Sequence, residues 1–464
     1  MNDKPPSILL INPWIYDFAA YDFWVKPLGL LYIASVLRKN GYDVYFIDCL
    51  DSRHPQIMHK NGIKKANRKK YGAGHFFKEN IEKPEILRGI PRKYSRYGVS
   101  PGLFEDELQK IPEPDVILVA SMMTYWYPGV FQTIRLSKRH YPDVPVILGG
   151  IYTTLCPDHA SRYSGADYYI YGEGEESVLK KVSELTEQNA SFIPNLEDLD
   201  SLPYPAFDLM SHHDSLCLLT SRGCPYKCTY CASPLLNSSF RQRDFTKVID
   251  EISYWMDRYA VKNFAFYDDA LLHKAGERFI PMFKEIIKRN FKCNFHTPNG
   301  LHVKGITKEV AELLFQAGFK TVRLGLETAD ENKQIQTGGK VNNKEFEQAV
   351  KYLRLAGYES EDIGVYLLVG LPGQRVEEVR KSIQFVKDCG ARPFLAEYSP
   401  IPGTGLWEDA LHKSLFNLDE EPLLHNNSIL PCRSDKLSWE YLYQLKNEIK
   451  TYPTPLKRRV REDL

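Results

Sequence analysis

Short apolar runs alternate with segments of helical periodicity along most of the chain, and this alternation restricts the fold more than any other feature. In the first half the apolar runs are 7–12, 44–48, 115–120, 144–149 and 167–171. Segments with helical spacing lie at 28–40, 128–140, 157–163 and 174–187. Strands that alternate with helices predict an α/β domain with a doubly wound, Rossmann-like (flavodoxin-like) parallel sheet. Ligands of such sheets lie beyond the carboxyl ends of the strands.

A second alternating series begins near residue 215. Its strand candidates are 216–220, 263–267, 293–297, 321–325, 363–369 and 394–398. Its helix candidates are 245–258, 274–290, 307–317, 342–356 and 375–388. Six β/α units are too few to close an eight-stranded barrel.

These two series divide the chain of 464 residues into units. We predict a Rossmann domain at 1–190, a Pro- and acid-rich linker at 191–212, a second α/β domain at 213–405 and a helical extension at 406–464. The extension carries a helix candidate near 437–450, expected to cover the bottom or side of the second domain, and a basic end at 457–461.

Composition limits the class of protein. The net charge of +1 argues against steering of the whole molecule to nucleic acid or acidic membranes. No apolar run reaches 18 residues, so no membrane span is expected, and the first residues do not resemble a signal peptide. Nine cysteines, an odd number, favour free thiols in a cytoplasmic protein over a disulfide framework.

Three of these cysteines lie close together, in the spacing C-x3-C-x2-C: Cys224, Cys228 and Cys231. Thiolates select iron–sulfur clusters, zinc or copper, and both a structural zinc site and an ordinary four-iron cluster need four ligands. Three clustered thiols without a neighbouring fourth suggest a cluster with one iron open to another ligand. The alternative is a zinc knuckle completed from elsewhere, or chance proximity.

The spacing, with Tyr230 as the aromatic residue before the last cysteine, resembles the signature of radical S-adenosylmethionine (radical SAM) enzymes. In that family three cysteines hold a [4Fe-4S] cluster, and S-adenosylmethionine binds the fourth iron and is cleaved to a 5′-deoxyadenosyl radical. The resemblance implies that the second domain is an open (β/α)6 partial TIM barrel. It also implies an electron donor such as flavodoxin or ferredoxin.

The resemblance assigns roles to residues that follow the barrel strands. Asp268 and Asp269 match the position that holds the methionine amino group, although an acidic pair could equally cap the next helix. Glu327 matches the glutamate that binds the ribose hydroxyls. Gly370 and Pro372 belong to the loop that runs along the adenine.

The first domain resembles the cobalamin-binding domain that precedes the radical core in one large class of the family. That resemblance assigns cobalamin to a set of residues after the third, fourth and fifth strands: Ser121, Thr124, Gly149, Gly150, Thr153, Gly172 and Glu173. The loop after the first strand contains no histidine that could bind cobalt, so cobalamin would bind without a protein ligand to the metal. The alternative is a structural or substrate-binding module that has lost cobalamin.

An insertion at about 51–113 interrupts this domain. Between Ser52 and Ser100 it has thirteen Lys or Arg against three Asp or Glu, concentrated in 64–70 and 91–97. Such a stretch is either a site for an anionic substrate, carrier protein or RNA, or a solvated flap over the domain edge. Its length is typical of a functional lid, which would help shape the substrate cavity.

Other residues are weaker candidates. His296, Asn299 and His302 follow the third barrel strand and could face substrate or cofactor, and Tyr16, Tyr125 and Trp126 could contact the corrin. Cys432 could be a late ligand or a reactive thiol, but a buried small side chain is the ordinary role for such a residue.

Taken together, the sequence predicts a radical SAM enzyme that uses cobalamin for methyl transfer to an unactivated carbon or for a rearrangement. The alternatives are a cobalamin-independent radical SAM enzyme for methylthiolation, cyclisation or oxidation, and a non-catalytic iron–sulfur or cobalamin sensor. The substrate is a small molecule of unknown identity, and nucleic acid stays open as a partner.

Overall fold

A computed structural model describes residues 4–55 and 68–450 of the chain. The strands of its first half are β1 (Ser7–Asn12), β2 (Ile15–Asp17), β3 (Asp43–Asp48), β4 (Lys78–Ile81), β5 (Tyr94–Tyr97), β6 (Val116–Val119), β7 (Val146–Gly149) and β8 (Tyr168–Ile170). The helices are α1 (Leu28–Lys39), α2 (Pro101–Leu108), α3 (Tyr127–His140), α4 (Ile151–Leu155), α5 (Pro157–Tyr163) and α6 (Glu175–Thr186).

Five of these strands form a parallel sheet in the order β3-β1-β6-β7-β8, which we call the N-terminal sheet. Strand β1 lies inside the sheet and is buried on both faces. Ile8 and Leu10 pack with α1 and α6 on one face, and Leu9 and Ile11 pack with α3 on the other. This continuous apolar run is typical of a strand covered by helices on both sides. The predicted doubly wound fold is confirmed.

The insertion contributes a second, antiparallel sheet in the order β2-β5-β4. Strand β5 is its central strand and is buried along its whole length, and Arg96 forms an ion pair with Glu79. Within the basic stretch 91–97, the strand Tyr94–Tyr97 is therefore neither a solvated flap nor an exposed anion site, whereas Pro91 and Lys93 are exposed. The other basic stretch, 64–70, lies mostly outside the described residues.

The second half contains strands β9 (Ser215–Leu218), β10 (Ser221–Arg222), β11 (Arg241–Gln242), β12 (Asn263–Phe266), β13 (Asn294–His296), β14 (Phe319–Glu327), β15 (Ile363–Val369) and β16 (Arg392–Glu397). Its helices are α7 (Ser233–Leu236), α8 (Phe245–Tyr259), α9 (Phe279–Lys288), α10 (Lys308–Ala317), α11 (Glu331–Gln336), α12 (Asn343–Ala356), α13 (Val376–Asp388), α14 (Trp407–Lys413) and α15 (Trp439–Lys450).

Six parallel strands form the open barrel sheet, in the order β16-β15-β14-β13-β12-β9. The predicted partial TIM barrel is confirmed. Its core is one large apolar cluster beneath helices α8 to α13. Helix α9 begins five residues later than the prediction of 274, because turns occupy the segment before Phe279.

The C-terminal extension covers the barrel in two places. Helix α15 lies on its side against α13, where Arg380 pairs with Glu448 at 3.0 Å. The segment 422–432 instead reaches the N-terminal half: the Asn426 side-chain amide donates to Asp17 at 2.9 Å. The expected cover of the barrel side is present, and the contact with the N-terminal half was not predicted. In the described part of the chain, no helix has the length and apolar character needed to cross a membrane.

Candidate active site

The carboxyl ends of the two parallel sheets face one another across a cavity of about 420 Å³. From the N-terminal sheet the lining includes Asn12, Ala120–Met122, Gly149–Ile151 and Gly172–Glu175. From the barrel it includes Leu219, Ser221–Gly223, Tyr267 and Asp269. Because ligands of parallel sheets bind beyond the carboxyl ends of strands, this shared cavity is the candidate active site.

The three clustered cysteines lie on the loop between β10 and α7, and all three are half-buried. Gly223 begins this loop with φ +79°, where an added Cβ would lie 2.6 Å from the Ser239 carbonyl oxygen, so only glycine fits. The Cys231 sulfur accepts a hydrogen bond from the Ser233 backbone at 3.4 Å.

Burial raises the pKa of the Cys224 thiol to about 11 and also raises that of Cys231. The donor set is three soft thiols on one loop, which fits a [4Fe-4S] cluster with one iron left for another ligand. Among the described residues no three His, Cys, Asp or Glu side chains are grouped to hold a single ion. The three thiolates of a [4Fe-4S] cluster each bind a different iron, so they do not need to be grouped around a single ion.

Distant segments hold the cysteine loop in place. The Thr229 backbone donates to the Thr337 carbonyl at 3.3 Å, and the Leu406 backbone donates to the Thr229 carbonyl at 2.8 Å. Gly338 packs so closely that an added Cβ would lie 3.0 Å from the Cys228 Cα. The Tyr230 ring lies 5.6 Å from the Lys340 ammonium, and its hydroxyl is buried.

The two adjacent aspartates after β12 have different environments. Asp268 is 3% exposed and accepts hydrogen bonds from the Thr220 and Ser221 side chains at 2.7 and 2.6 Å. These bonds fasten the end of β9, a role that is neither of those predicted for Asp268. Asp269 lines the cavity and accepts from Ser233 at 2.5 Å. Burial raises the pKa of both carboxyls.

Glu327 ends β14 at a register shift, with the unusual backbone φ of +67°. Its carboxylate forms a buried ion pair with Lys340 at 2.6 Å. Burial opposes the charge of Lys340, but the attraction of Glu327 outweighs it, so the pKa of Lys340 is raised. Lys340 was not predicted from the sequence, because it lies thirteen residues after Glu327 and a helix separates the two.

The loop of Gly370 and Pro372 is held by Gln374, a buried side chain that accepts from the Gly370 backbone at 2.8 Å. Leu430 of the C-terminal extension lies against it, 2.6 Å from where a Cβ on Gly370 would be.

The edge of the N-terminal sheet consists of small residues in close contact. The Ser121 hydroxyl donates to the Gly149 carbonyl at 2.8 Å and lies 3.2 Å from the Thr153 hydroxyl. Gly150 has φ +107°, and an added Cβ would lie 2.2 Å from the Ser121 carbonyl oxygen. Ser121, Gly149 and Gly150 line the cavity, whereas Thr153 supports them from behind. Thr124 also lies outside the lining and contacts His425 at 3.0 Å.

Beyond this edge the cavity wall is apolar, with Leu30, Ile33, Ile151, Ile170 and Val178. An apolar wall beside small-residue loops fits the flat aromatic base at the end of the cobalamin nucleotide tail.

Gly172 and Glu173 line the cavity where the two halves of the chain meet. Arg222, two residues before Cys224, pairs with Glu173 at 2.9 Å and with Glu175 at 2.5 Å. Arg241 also pairs with Glu173, at 2.6 Å. These buried ion pairs, which we call the Arg222 clasp, join the last loop of the N-terminal sheet to the cysteine loop.

The weaker candidates lie outside the lining of the cavity. His296 is buried beneath Trp24, with ring centroids 4.1 Å apart, and Asn299 donates to the Tyr267 carbonyl. His302 contacts Tyr226 at 4.2 Å. The aromatic candidates Tyr16, Tyr125 and Trp126 pack in the protein interior, and Cys432 is a buried member of an apolar cluster.

Two family profiles match the chain. That of the Radical SAM superfamily matches residues 218–386, and that of the B12 binding domain matches residues 97–180.

Known proteins resemble the chain over most of its length. An uncharacterised methyltransferase of Pyrococcus horikoshii is 25% identical over 65% of this chain and 71% of that protein. The cytidylyl-2-hydroxyethylphosphonate methyltransferase of Streptomyces wedmorensis is 22% identical over 89% of this chain and 83% of that protein. The structure of the radical S-adenosylmethionine methyltransferase TsrM from Kitasatospora setae superposes with a TM-score of 0.64, at 16% identity, over 88% of this chain and 76% of that one.

Proposed function

From the premise that this chain belongs to the radical SAM superfamily and carries a B12-binding domain, we propose that it is a cobalamin-dependent radical SAM methyltransferase that acts on a carbon atom of a small molecule. The observation that carries the proposal is the shared cavity, with the cysteine loop near one wall and the small-residue edge of the N-terminal sheet on the other. Two cofactors that must exchange groups need sites on facing walls of one space.

We propose that Cys224, Cys228 and Cys231 hold three irons of a [4Fe-4S] cluster. When bound, the cluster and S-adenosylmethionine supply a 5′-deoxyadenosyl radical, and methylcobalamin supplies the methyl group. The protein supplies binding and orientation. The half-buried loop limits access of water, and Thr337 and Leu406 hold its backbone in place.

The barrel edge would bind S-adenosylmethionine through groups that are already ordered. Asp269 lies in the cavity wall, and its Oδ1, to which no residue of 4–55 or 68–450 donates a hydrogen bond, could accept from an ammonium group. Glu327 and Lys340 form one acceptor and one donor for the ribose hydroxyls. The Gly370–Pro372 loop would pass along the adenine, and Tyr230 would pack beside the cluster.

The edge of the N-terminal sheet would bind cobalamin by shape. Gly149, Gly150 and Gly172 bring backbone to the cavity surface, and Ser121 and Thr153 keep the Gly149 loop in that position. Thr124 would act from behind this surface, through His425. Glu173 would act from the cavity lining itself, where the Arg222 clasp holds it.

The test uses full-length protein purified without oxygen and reconstituted with iron and sulfide. Titration with hydroxocobalamin should give a saturable change in the corrin spectrum. With reductant and S-adenosylmethionine, the protein should form both 5′-deoxyadenosine and S-adenosylhomocysteine, because the methyl group also derives from S-adenosylmethionine. The Cys228→Ala variant is the control for cluster-independent cleavage.

Each alternative predicts a different outcome. Deoxyadenosine without corrin binding would contradict the cobalamin assignment and favour methylthiolation, cyclisation or oxidation. Corrin binding with deoxyadenosine but no S-adenosylhomocysteine would favour a rearrangement or cyclisation. A formed cluster with neither product would contradict the enzyme proposal itself. A flavodoxin or ferredoxin that replaces the chemical reductant would identify the class of electron donor.

A further inference from the structure

Three paired residues form a row across strands β14, β15 and β16 of the barrel sheet. Arg323 pairs with Gly364, and Gly364 pairs with Arg392. Arg323 is half-buried and Arg392 is exposed. Their neighbours Val322 and Val365 belong to the apolar core beneath the barrel helices. Because successive side chains of a strand point to opposite faces, the row, which we call the arginine row, lies on the inner face of the barrel.

The absence of a side chain at Gly364 leaves room for a guanidinium. A Cβ at this position would lie 2.7 Å from both the Cδ and the Nη1 of Arg323. Phe394 follows Arg392 on the same face, and its ring centroid lies 4.8 Å from the Cζ of Arg323 and 5.1 Å from the Cζ of Arg392. Two positive charges therefore lie against one aromatic ring.

Neither arginine of the row forms an ion pair with a carboxylate of residues 4–55 or 68–450. The Nη1 of Arg323 donates to the Val322 carbonyl at 3.0 Å. Asp362 is close enough to affect Arg323, but its carboxylate accepts from the Glu359 backbone at 3.1 Å. Burial lowers the pKa of Arg323, and the charge of Arg392 lowers it further.

Other arginines of the barrel are neutralised by the protein itself. Arg222 pairs with Glu173 and Glu175, and Arg243 pairs with Glu251 at 2.5 Å. Charged groups that are removed from water are generally paired in this way. The two charges of the arginine row repel each other and lack such partners, so the row indicates a binding site for a ligand with about two negative charges.

The arginine row shares a face of β14 with the ion pair proposed above for the ribose. A Cβ on Gly325, two residues after Arg323, would lie 2.8 Å from the Glu327 Oε1 and 3.0 Å from the Lys340 Nζ. Four residues of strand, or about 13 Å, separate Arg323 from Glu327. Tyr366 is the partner of Gly325 and therefore lies at the level between them. A ligand along this face would reach from the proposed S-adenosylmethionine site to the two arginines.

We infer that the substrate is an elongated molecule with a terminal phosphate group, and that Arg323 and Arg392 bind this phosphate. A phosphate monoester carries a charge of about −1.5 to −2 at pH 7, which matches two guanidiniums. Its oxygens accept paired hydrogen bonds from the guanidinium fork. The rings of Tyr366 and Phe394 would pack along the part of the substrate that joins the phosphate to the reacting carbon. This inference rests on the proposed function, because it gives the substrate class of that enzyme.

The experiment uses n-hexyl phosphate as the probe and hexanoate as its singly charged counterpart. Each is titrated by calorimetry, at constant ionic strength, into full-length protein reconstituted with iron and sulfide, without S-adenosylmethionine or corrin. We expect wild-type protein to bind hexyl phosphate about tenfold more tightly than hexanoate, since two guanidiniums favour the second charge. Arg323→Gln should weaken the binding of hexyl phosphate about tenfold to a hundredfold, which is the range expected for the loss of a charged hydrogen bond.

Three further variants make the test specific. Arg289→Gln is the matched control, because this exposed guanidinium pairs with Glu285 on the outer surface of the barrel and should not affect the probe. Arg392→Gln changes an exposed residue and should weaken hexyl phosphate about tenfold, so it decides the matter if circular dichroism shows that Arg323→Gln does not fold. Gly364→Ala keeps both charges but displaces the Arg323 guanidinium, and should weaken hexyl phosphate more than hexanoate.

Two outcomes would overturn this inference alone, in a protein that binds corrin and forms 5′-deoxyadenosine. The first is equal affinity of wild-type protein for hexyl phosphate and hexanoate, which would indicate a singly charged ligand. The second is unchanged affinity in the variants of Arg323 and Arg392, which would place the probe at another site, including the cluster. If the probe depends on both arginines but the protein forms no deoxyadenosine, the proposed function fails, and the assignment of the phosphate to a substrate fails with it.

Discussion

The barrel edge and the edge of the N-terminal sheet present different types of residue near the cavity. At the barrel edge, Asp269 lines the cavity and accepts a hydrogen bond from the Ser233 hydroxyl, and Glu327 and Lys340 form an ion pair outside the cavity lining. At the edge of the N-terminal sheet, the wall is made mostly of glycine, serine and aliphatic residues, and its acidic residues Glu173 and Glu175 belong to the Arg222 clasp. Paired charges suit a small ligand with an ammonium, a carboxylate and hydroxyls. Small residues leave room for a large ligand recognised by shape.

The Arg222 clasp is where these edges meet. One guanidinium bonds to Glu173 and Glu175 of the N-terminal half while its backbone leads into the cysteine loop. The distance between the two proposed cofactor sites therefore depends on a few buried ion pairs. We therefore predict that substitutions at the barrel edge and at the edge of the N-terminal sheet have separate effects, whereas loss of the Arg222 clasp affects both edges.

The largest expected effect is on the barrel edge alone. Cys228→Ala should abolish cluster formation and cleavage of S-adenosylmethionine, because a thiolate ligand is lost. Corrin binding should remain, since the N-terminal edge does not use this residue. Iron content and product formation are the measurements. Cys389→Ala, which removes a thiol at the end of α13, should leave both unchanged, and a loss of corrin binding in Cys228→Ala would contradict the separation of the edges.

The next largest effect concerns the clasp. Arg222→Gln leaves the buried Glu175 without its cationic partner, while Glu173 keeps only Arg241. Removing one partner of a buried ion pair lowers the free energy of unfolding by about 3–5 kcal/mol. The free energy of unfolding in denaturant measures this. Arg38→Gln removes a half-exposed ion pair with Asp208 and should cost less than about 1 kcal/mol. Similar costs for the two variants would mean that the clasp does not stabilise the contact between the halves.

The third prediction targets the N-terminal edge. Gly150→Ala combines a backbone conformation that favours glycine with a close contact to the Ser121 carbonyl, so we expect a loss of about 2–3 kcal/mol of stability and of corrin affinity. Cleavage of S-adenosylmethionine should persist. The matched control is Gly165→Ala, which has φ +74° but open space around the Cβ and should cost about 1 kcal/mol. Equal losses would show that backbone conformation alone explains the effect.

The smallest effect is a pH dependence behind the N-terminal edge. Burial lowers the pKa of His425 to about 4, and the ring contacts Thr124. As the pH falls, the unfolded chain binds a proton at this histidine before the folded protein does. The free energy of unfolding that the neutral His425 ring contributes is therefore complete above the ordinary pKa of about 6.5 and is lost as the pH falls toward 4. At pH 5 the loss from this group is on the order of 2 kcal/mol.

Comparison of unfolding at pH 7 and pH 5 tests this assignment. His425→Gln should reduce the difference between the two pH values, whereas His140→Gln on the exposed end of α3 should not. Since burial also lowers the pKa of His212, His296 and His302, part of the pH dependence should remain in His425→Gln. An unchanged pH dependence would contradict the role given to His425.

The sequence predicted much of this architecture, because its signals are local. The strands β1 and β15 are continuous apolar runs, and the structure has them at the predicted bounds. The cysteine spacing is a property of eight consecutive residues. The error at 94–97 has the same origin: a run of charges and tyrosines is typical of a surface, but cross-strand pairing with β4 and the Glu79 partner bury these four residues.

What the sequence determined by itself is the order of the strands and helices, the spacing of the three clustered cysteines and the glycines at the sheet edges, since each follows from periodicity or local spacing. Only the tertiary structure decided which charges meet. Lys340 pairs with Glu327, Arg222 with Glu173, and Asp268 bonds to Thr220. Such contacts join residues that are far apart in the chain, and their energies depend on burial and distance, which no short stretch of sequence contains.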